Sequence, residues 1–250
     1  DPTPALQALS QHATNEHPDA WSCDTACARR LGWSLQDGEP RQHSDALPEI
    51  GPCLRALPIE WRLPALLCLS FAEDFAIIDG ATAHIPWLAV CLPSGWAPED
   101  KVGRHFAEVH APVADNQLLV TASDHLARLV TGNEHWERFV WTITRHPRLH
   151  AHPARNDPAP WPAEATPAQL AQRAFFRTER QTFISLPELQ QAVFTIHVEL
   201  QPLTLALPSA EHAQQVHDAL ASMSPAVLAY RGLGDARDRL LVWLAAQTGA

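Results

Sequence analysis

Residues 175–200 read Phe175-Phe-Arg-Thr-Glu-Arg-Gln-Thr-Phe-Ile-Ser-Leu186, then Pro187-Glu-Leu-Gln-Gln191, then Ala192-Val-Phe-Thr-Ile-His-Val-Glu-Leu200. The two flanking segments are rich in aromatic and β-branched residues, and the connection between them opens on a proline. That combination predicts a pair of antiparallel strands. Side chains alternate between faces along a strand. In the first strand Arg177, Glu179 and Gln181 therefore share one face, and Thr178, Arg180 and Thr182 the other. A strand polar on both faces lies at a sheet edge or lines a polar pocket. In the second strand Phe194, Ile196, Val198 and Leu200 make the core face, which turns Thr195, His197 and Glu199 the opposite way.

Working outward, Trp136–Thr144 alternates cleanly, with Phe139, Trp141 and Ile143 on one side and Arg138 and Thr142 on the other. Further upstream, Ala76–Asp79, a turn at Gly80–Ala83 and His84–Leu92 read as a hairpin. Helices are expected from a capping box at Thr121–Asp124 to Val130, and from the Thr166-Pro167 start to Arg173. Two more are expected, one capped by Ser209 and running to about Met223, the other starting at Asp235 with Leu240, Leu241 and Leu244 inward. Ala65–Phe71 reads as a buried helix continuing into Glu73-Asp74. Asp24 reads as the cap of a helix through Trp33, with loop over 34–52. The expected fold class is α+β, an antiparallel sheet of about five strands with flanking helices. Residues 1–52 form an N-terminal helical and loop extension, and 53–250 the main domain with its C-terminal helices.

Composition narrows the function. At 250 residues, 46% hydrophobic and 18% charged, the chain can bury a substantial core. A formal charge of −10 argues against nucleic acid, whose phosphates require clustered cations. Lys101 is the single lysine, so there is no polybasic membrane patch, and Pro64, Glu73 and Pro86 break every run that could span a bilayer. The chain begins Asp1-Pro-Thr-Pro without a charged start and apolar signal core, so a cytoplasmic location is expected, with no membrane partner. Its 5 cysteines lack paired CxxC spacing and read as reduced, mostly buried thiols. No GxGxxG, GxxxxGK[ST], GxSxG or HExxH pattern occurs, which removes the common nucleotide-binding, nucleophile-elbow and zinc-protease chemistries.

Among 14 histidines, spacing has to decide which matter. His146, His150 and His152 fall in a Pro-rich loop over 146–165 with no evident carboxylate partner, a poor setting for preorganised metal ligands. His125 opens a helix and is expected at the surface. His110 differs. In Cys91-Leu-Pro-Ser-Gly-Trp96 through Val109-His-Ala-Pro-Val113, a Pro/Gly corner leads to a short helix that Pro112 stops. Val102, Phe106, Val109 and His110 fall on one helical face, so the imidazole points inward, where it needs a hydrogen-bond partner or a metal.

Several stretches together resemble one family, the haem-dependent oxidative N-demethylase-like proteins. Leu92-Pro-Ser-Gly-Trp96, Lys101-Val-Gly103 and Val109-His-Ala-Pro-Val113 are similar to the family's Pro-Ser-x-Trp, Lys-x-Gly and Ile-His-x-Pro-Val pieces. Glu73-Asp74-Phe75 lies upstream of them in the family's order. Downstream, Arg177-Thr-Glu-Arg-Gln-Thr182 resembles its Arg-x-Glu-Arg-Gln-Thr motif. Phe194-Thr-Ile196 with Pro202-Leu203, then Arg231-Gly-Leu233 and Leu241-Val-Trp-Leu244, complete an ordered match over residues 54–245.

The resemblance implies a PAS-like fold holding haem b. It implies an enzyme whose haem iron uses O2 to remove a methyl group as formaldehyde from a small secondary amine. Electrons come from NADPH through a partner reductase with flavin and iron–sulfur modules. It makes His110 the iron ligand, with Nε2 on the metal and Nδ1 bonded to a backbone carbonyl. Arg177, Arg180 and Thr182 become cofactor-binding residues, and Glu179, Gln181 and His197 catalytic ones. A carboxylate at Glu179 suits a substrate ammonium. The sequence departs from the family at His197, where an arginine is typical; His197 is expected either to change the pocket's charge or to ligate iron from the second side. A non-catalytic haem-PAS protein that binds O2, CO or NO is the alternative, and a relative without haem a third.

Overall fold

The computed structural model describes residues 1–155 and 160–248. Its centre is a five-stranded antiparallel sheet, and a smaller four-stranded antiparallel sheet lies near the N-terminus. The small sheet consists of β1 (Trp21–Ser22), β2 (Cys27–Ala28), β3 (Trp33–Gln36) and β4 (Glu39–Gln42), paired in that order. The large sheet consists of β5 (Glu73–Asp79), β6 (Trp87–Ala89), β7 (Trp136–Thr144), β8 (Phe175–Leu186) and β9 (Gln191–Pro202), in the spatial order β6-β5-β9-β8-β7. The α+β class with an antiparallel five-stranded sheet thus matches the sequence expectation. No helix among the described residues is long and apolar enough to cross a membrane.

The expected β8–β9 hairpin forms with a register that fixes the faces. Gln181 lies opposite Ile196 and Arg138, while Arg180 lies opposite His197 and Phe139. His197 in turn faces Glu73 on β5. On the side opposite the cavity described below, helix Thr3–Glu16 packs against β8 and β9. Its Ala5, Leu6 and Leu9 share a buried cluster with Trp21, Trp33, Leu66, Phe75 and Val193, so the N-terminal segment and the large sheet have a common core. A second cluster joins Ile143 of β7 and Leu170 to the C-terminal helices Ala210–Ala221 and Arg237–Gln247 through Leu220, Leu240 and Leu244. Ser209 caps the first of these helices as expected, accepting the His212 N–H. Thr166 makes the expected cap of helix Pro167–Gln172, completed by Gln169 into a capping box.

Several local expectations are corrected. The helix from Asp24 through Trp33 does not form, and 34–52 is not all loop. Residues 21–42 instead carry β1 to β4, because burying Trp21 and Trp33 outweighs the local helical pattern. Gly32 there has φ +70°, and a Cβ on it would lie 2.5 Å from Ala46 Cα, so only glycine fits the turn. The expected helix over Ala65–Phe71 is longer, Ile59–Phe71, and stops at left-handed Ala72; Glu73 and Asp74 open β5 rather than continuing it. The second strand of the upstream hairpin is confined to Trp87–Ala89. Thr121 ends helix Gln117–Thr121 and caps nothing; helix Ser123–Val130 starts without a side-chain cap. The His110 helix begins at Phe106 with His105 as its cap, which leaves Val102 exposed in the preceding turn. Of the cysteines, only Cys68 is buried.

Candidate functional site

The free face of the large sheet forms one wall of a cavity of about 600 Å³, within the range typical of small-molecule and cofactor sites. The corner at 92–96, helix Phe106–His110 and the Tyr230-Arg231 turn close over it. Its walls are largely apolar, with Ala76, Ile78, Val140 and Ile196 on the sheet and Trp96 and Val109 opposite. The β8 alternation seen in the sequence places Arg177, Glu179 and Gln181 on the cavity side, and Gln181 and Arg177 are buried.

His110 also lines the cavity. Its Nδ1 lies 2.8 Å from the Phe106 carbonyl oxygen, which can only accept. Nδ1 therefore carries the proton and Nε2 the lone pair. Among the described residues Nε2 makes no hydrogen bond. Burial lowers the His110 pKa against the opposing pull of the Phe106 carbonyl, and the positive charges of Arg138 and Lys101 lower it further. A neutral imidazole anchored through Nδ1, with Nε2 open to a cavity, is the form that ligates a metal. The turn is held at both ends. Asn116 Nδ2 donates to the His110 and Ala111 carbonyls, and Lys101 Nζ donates to the Val109 carbonyl at 2.7 Å.

On the sheet wall, Arg138 Nε donates to Gln181 Oε1 at 2.7 Å, and Gln181 Nε2 donates to Glu179 Oε2 at 2.6 Å. The arginine thus fixes the orientation of the glutamine amide, and the amide holds one carboxylate oxygen. Glu179 Oε1 has no partner among the described residues. Arg138 also lies 5.8 Å from the Phe183 ring centroid, a cation–π arrangement. Partial desolvation lowers the Arg138 pKa and the nearby Glu179 charge raises it.

Arg177 does different work from that expected. Its Nε and Nη2 donate to Ser94 Oγ at 2.9 and 2.7 Å, and Nη2 also reaches the Leu149 carbonyl at 2.7 Å. Nη1 donates to the Arg148 carbonyl at 3.2 Å. The guanidinium clasps the 92–94 corner and the 148–149 segment to β8, so few of its donors remain for a cofactor. Arg180, Thr182 and His197 are not brought to the cavity. All three project from the opposite sheet face, where Arg180 pairs with Glu137 at 2.9 Å and His197 lies 3.7 Å from Glu199. The period-2 alternation of β8 and β9 dictates this: a residue one step from Glu179 or Ile196 must point away. His152 does find a carboxylate, Glu99 at 3.1 Å, and the His146–His150–His152 segment gathers no metal-binding group among the described residues.

Sequence reasoning missed Arg138, Arg231 and Lys101 as cavity residues. Arg231 Nη1 donates to the Trp141 carbonyl and its guanidinium lies 5.6 Å from the Trp141 ring. The signal for Arg138 was available: it shares a face with Gln181 once β7 and β8 pair in register.

This arrangement defines a class: an α+β protein with a cofactor-sized apolar cavity, one neutral histidine offering Nε2, and a hydrogen-bonded Arg–Gln–Glu chain on the sheet wall. A sequence-family comparison matches residues 56–241 to the haem-dependent oxidative N-demethylase, alpha subunit-like proteins, and the chain belongs to that family. Comparison with curated proteins finds no match. The residues present fit a haem. His110 offers an uncharged nitrogen donor, the walls are largely apolar, and the cationic side chains of Lys101, Arg138 and Arg231 line the cavity that would take the haem carboxylates.

Proposed function

We propose that the chain is the haem b subunit of an oxidative N-demethylase acting on a small secondary amine, with His110 as the iron ligand. The observation that carries this is the juxtaposition, in one cavity, of His110 Nε2 and the Arg138–Gln181–Glu179 chain. The haem would supply activation of O2 with electrons from a flavin and iron–sulfur reductase partner. The balance is one amine, O2, two electrons and two protons, giving the demethylated amine, formaldehyde and water.

The chain's own residues bind and orient. A secondary amine is cationic near neutral pH, and the free Oε1 of Glu179 accepts a hydrogen bond from one of its N–H groups. Gln181 holds Oε2, so the carboxylate keeps one direction. Arg138 balances the Glu179 charge when no substrate is bound and fixes the amide. Ile78, Phe194 and Ile196 exclude water around the methyl group. The PAS-like reading is supported by the single antiparallel five-stranded sheet with helices packed on it. The test is formaldehyde release from a series of methylated amines by the haem-loaded chain with an electron donor. Turnover of a secondary amine supports the reading; reversible CO and NO binding without turnover of any amine would replace it with the gas-binding alternative.

A further inference from the structure

Outside the set of residues that line the cavity, three side chains from separate elements converge: Cys68 in helix Ile59–Phe71, Asp74 at the start of β5, and Cys91 just beyond β6. One sulfur or oxygen from each lies within 4.8 Å of the others. We propose that Cys68, Asp74 and Cys91 form a binding site for a thiophilic divalent cation of the zinc class, with two sulfur ligands and one carboxylate oxygen.

Two thiolates and a carboxylate are a zinc donor set, and they disfavour magnesium and calcium, which select oxygen alone. The fold preorganises them. Antiparallel pairing of Phe75 with Ala89 fixes β5 against β6 and so brings Asp74 towards the chain entering Cys91. The carboxylate is oriented by backbone donors: Oδ1 accepts from Cys91 N at 2.6 Å, and Oδ2 accepts from Leu92 N at 2.9 Å. These contacts leave Oδ2 a lone pair. Asp74 is 2% exposed and makes no ion pair among the described residues, so it lacks a counter-charge in contact. Burial raises its pKa. The neighbouring Cys68 thiol shifts the Cys91 thiol downwards, whereas Cys91 and burial push Cys68 up. A thiophilic cation would displace the thiol protons and balance the negative charge that the three ligands then carry. Cys91 is exposed, which supplies an entry path and leaves a fourth position for water. The site would tie the helix and β5 to the corner whose Leu92 carbonyl and Ser94 hydroxyl hold Arg177. It does not depend on the proposed reaction.

The test takes the reduced full chain, with its haem, after chelator treatment. Zn2+ is added by equilibrium dialysis, zinc and iron are counted separately by elemental analysis, and maleimide labelling is mapped by mass spectrometry. The expected result is one zinc per chain, protecting Cys91 from labelling, with the Zn2+ affinity of Asp74→Asn falling about tenfold or more. Cys91→Ser, at an exposed position, should abolish this stoichiometric uptake, and Cys53→Ser should leave it unchanged. Absence of stoichiometric zinc, uptake unaffected by Cys91→Ser, or a Cys68–Cys91 disulfide that forms in place of metal uptake would each overturn the proposal.

Discussion

Gln181 donates through Nε2 to Glu179 Oε2 at 2.6 Å, from the same face of β8 and two residues along the chain. That bond, with Arg138 behind it, turns an alternating polar strand into a directed carboxylate at the cavity wall. Glu179→Gln should therefore lower kcat/KM for the amine by about tenfold to a hundredfold, the equivalent of losing one hydrogen bond to a charged group. Haem uptake should be unchanged. Steady-state formaldehyde assays check it, and an unaltered kcat/KM would detach Glu179 from substrate binding.

Arg138 and Glu179 are coupled through the Gln181 amide. Arg138→Leu leaves the Gln181 amide oxygen without its donor and the Glu179 charge without the nearby cation, and should cost about 1–3 kcal/mol in urea unfolding. Combined with Glu179→Gln, the loss should be smaller than the sum of the single losses, because the second substitution removes the charge the first exposes. Strict additivity would mean that the chain is not energetically connected.

Arg177 is a clasp. Replacing it by Met removes donors to Ser94, Arg148 and Leu149 and strands buried acceptors, so about 2–4 kcal/mol of stability should go. Limited proteolysis should then cut within 92–96 or 146–151 sooner than in the wild type. A variant as stable as the wild type would show that the clasp is not needed to hold those segments.

The N-terminal segment tests the shared core. A Cβ on Gly51 would sit 2.2 Å from Trp33 Cη2, and Trp33 is fully buried. Gly51→Ala should destabilise the chain by about 1–3 kcal/mol through overpacking, and adding Trp33→Phe should recover part of that loss. Thermal unfolding followed by circular dichroism reads both.

The legible parts of the chain are those where periodicity and burial agree. β7 and β8 match the expected Trp136–Thr144 and Phe175–Leu186 end to end, since long alternation is hard to mistake. The Ser209 and Thr166 caps were legible for a local reason, a side-chain oxygen within reach of the first free N–H groups. Residues 21–42 were not legible: strands of two to four residues, with Pro40 in β4, carry almost no period, and tryptophan burial against distant helices decides them. At the site, the shared face of Arg177, Glu179 and Gln181 could be read directly. The spending of Arg177 on carbonyls 28 and 29 residues earlier could not, because it depends on where loops return. His197 shows the converse. The alternation of β9 already turned it away from the cavity, and its register with Arg180 and Glu73 bears that out.

His110 carries the haem assignment. The most direct measurement is a haem titration of the wild type and of His110→Ala, followed by absorption in the ferric, ferrous and ferrous–CO states. A sharp Soret band saturating at one haem per chain in the wild type, and displaced by CO, is the expected result. In His110→Ala that band should be weak or shifted, and added imidazole should restore it by supplying the missing nitrogen. A wild-type chain that takes up no haem, or a His110→Ala variant with the wild-type band at full stoichiometry, would contradict it.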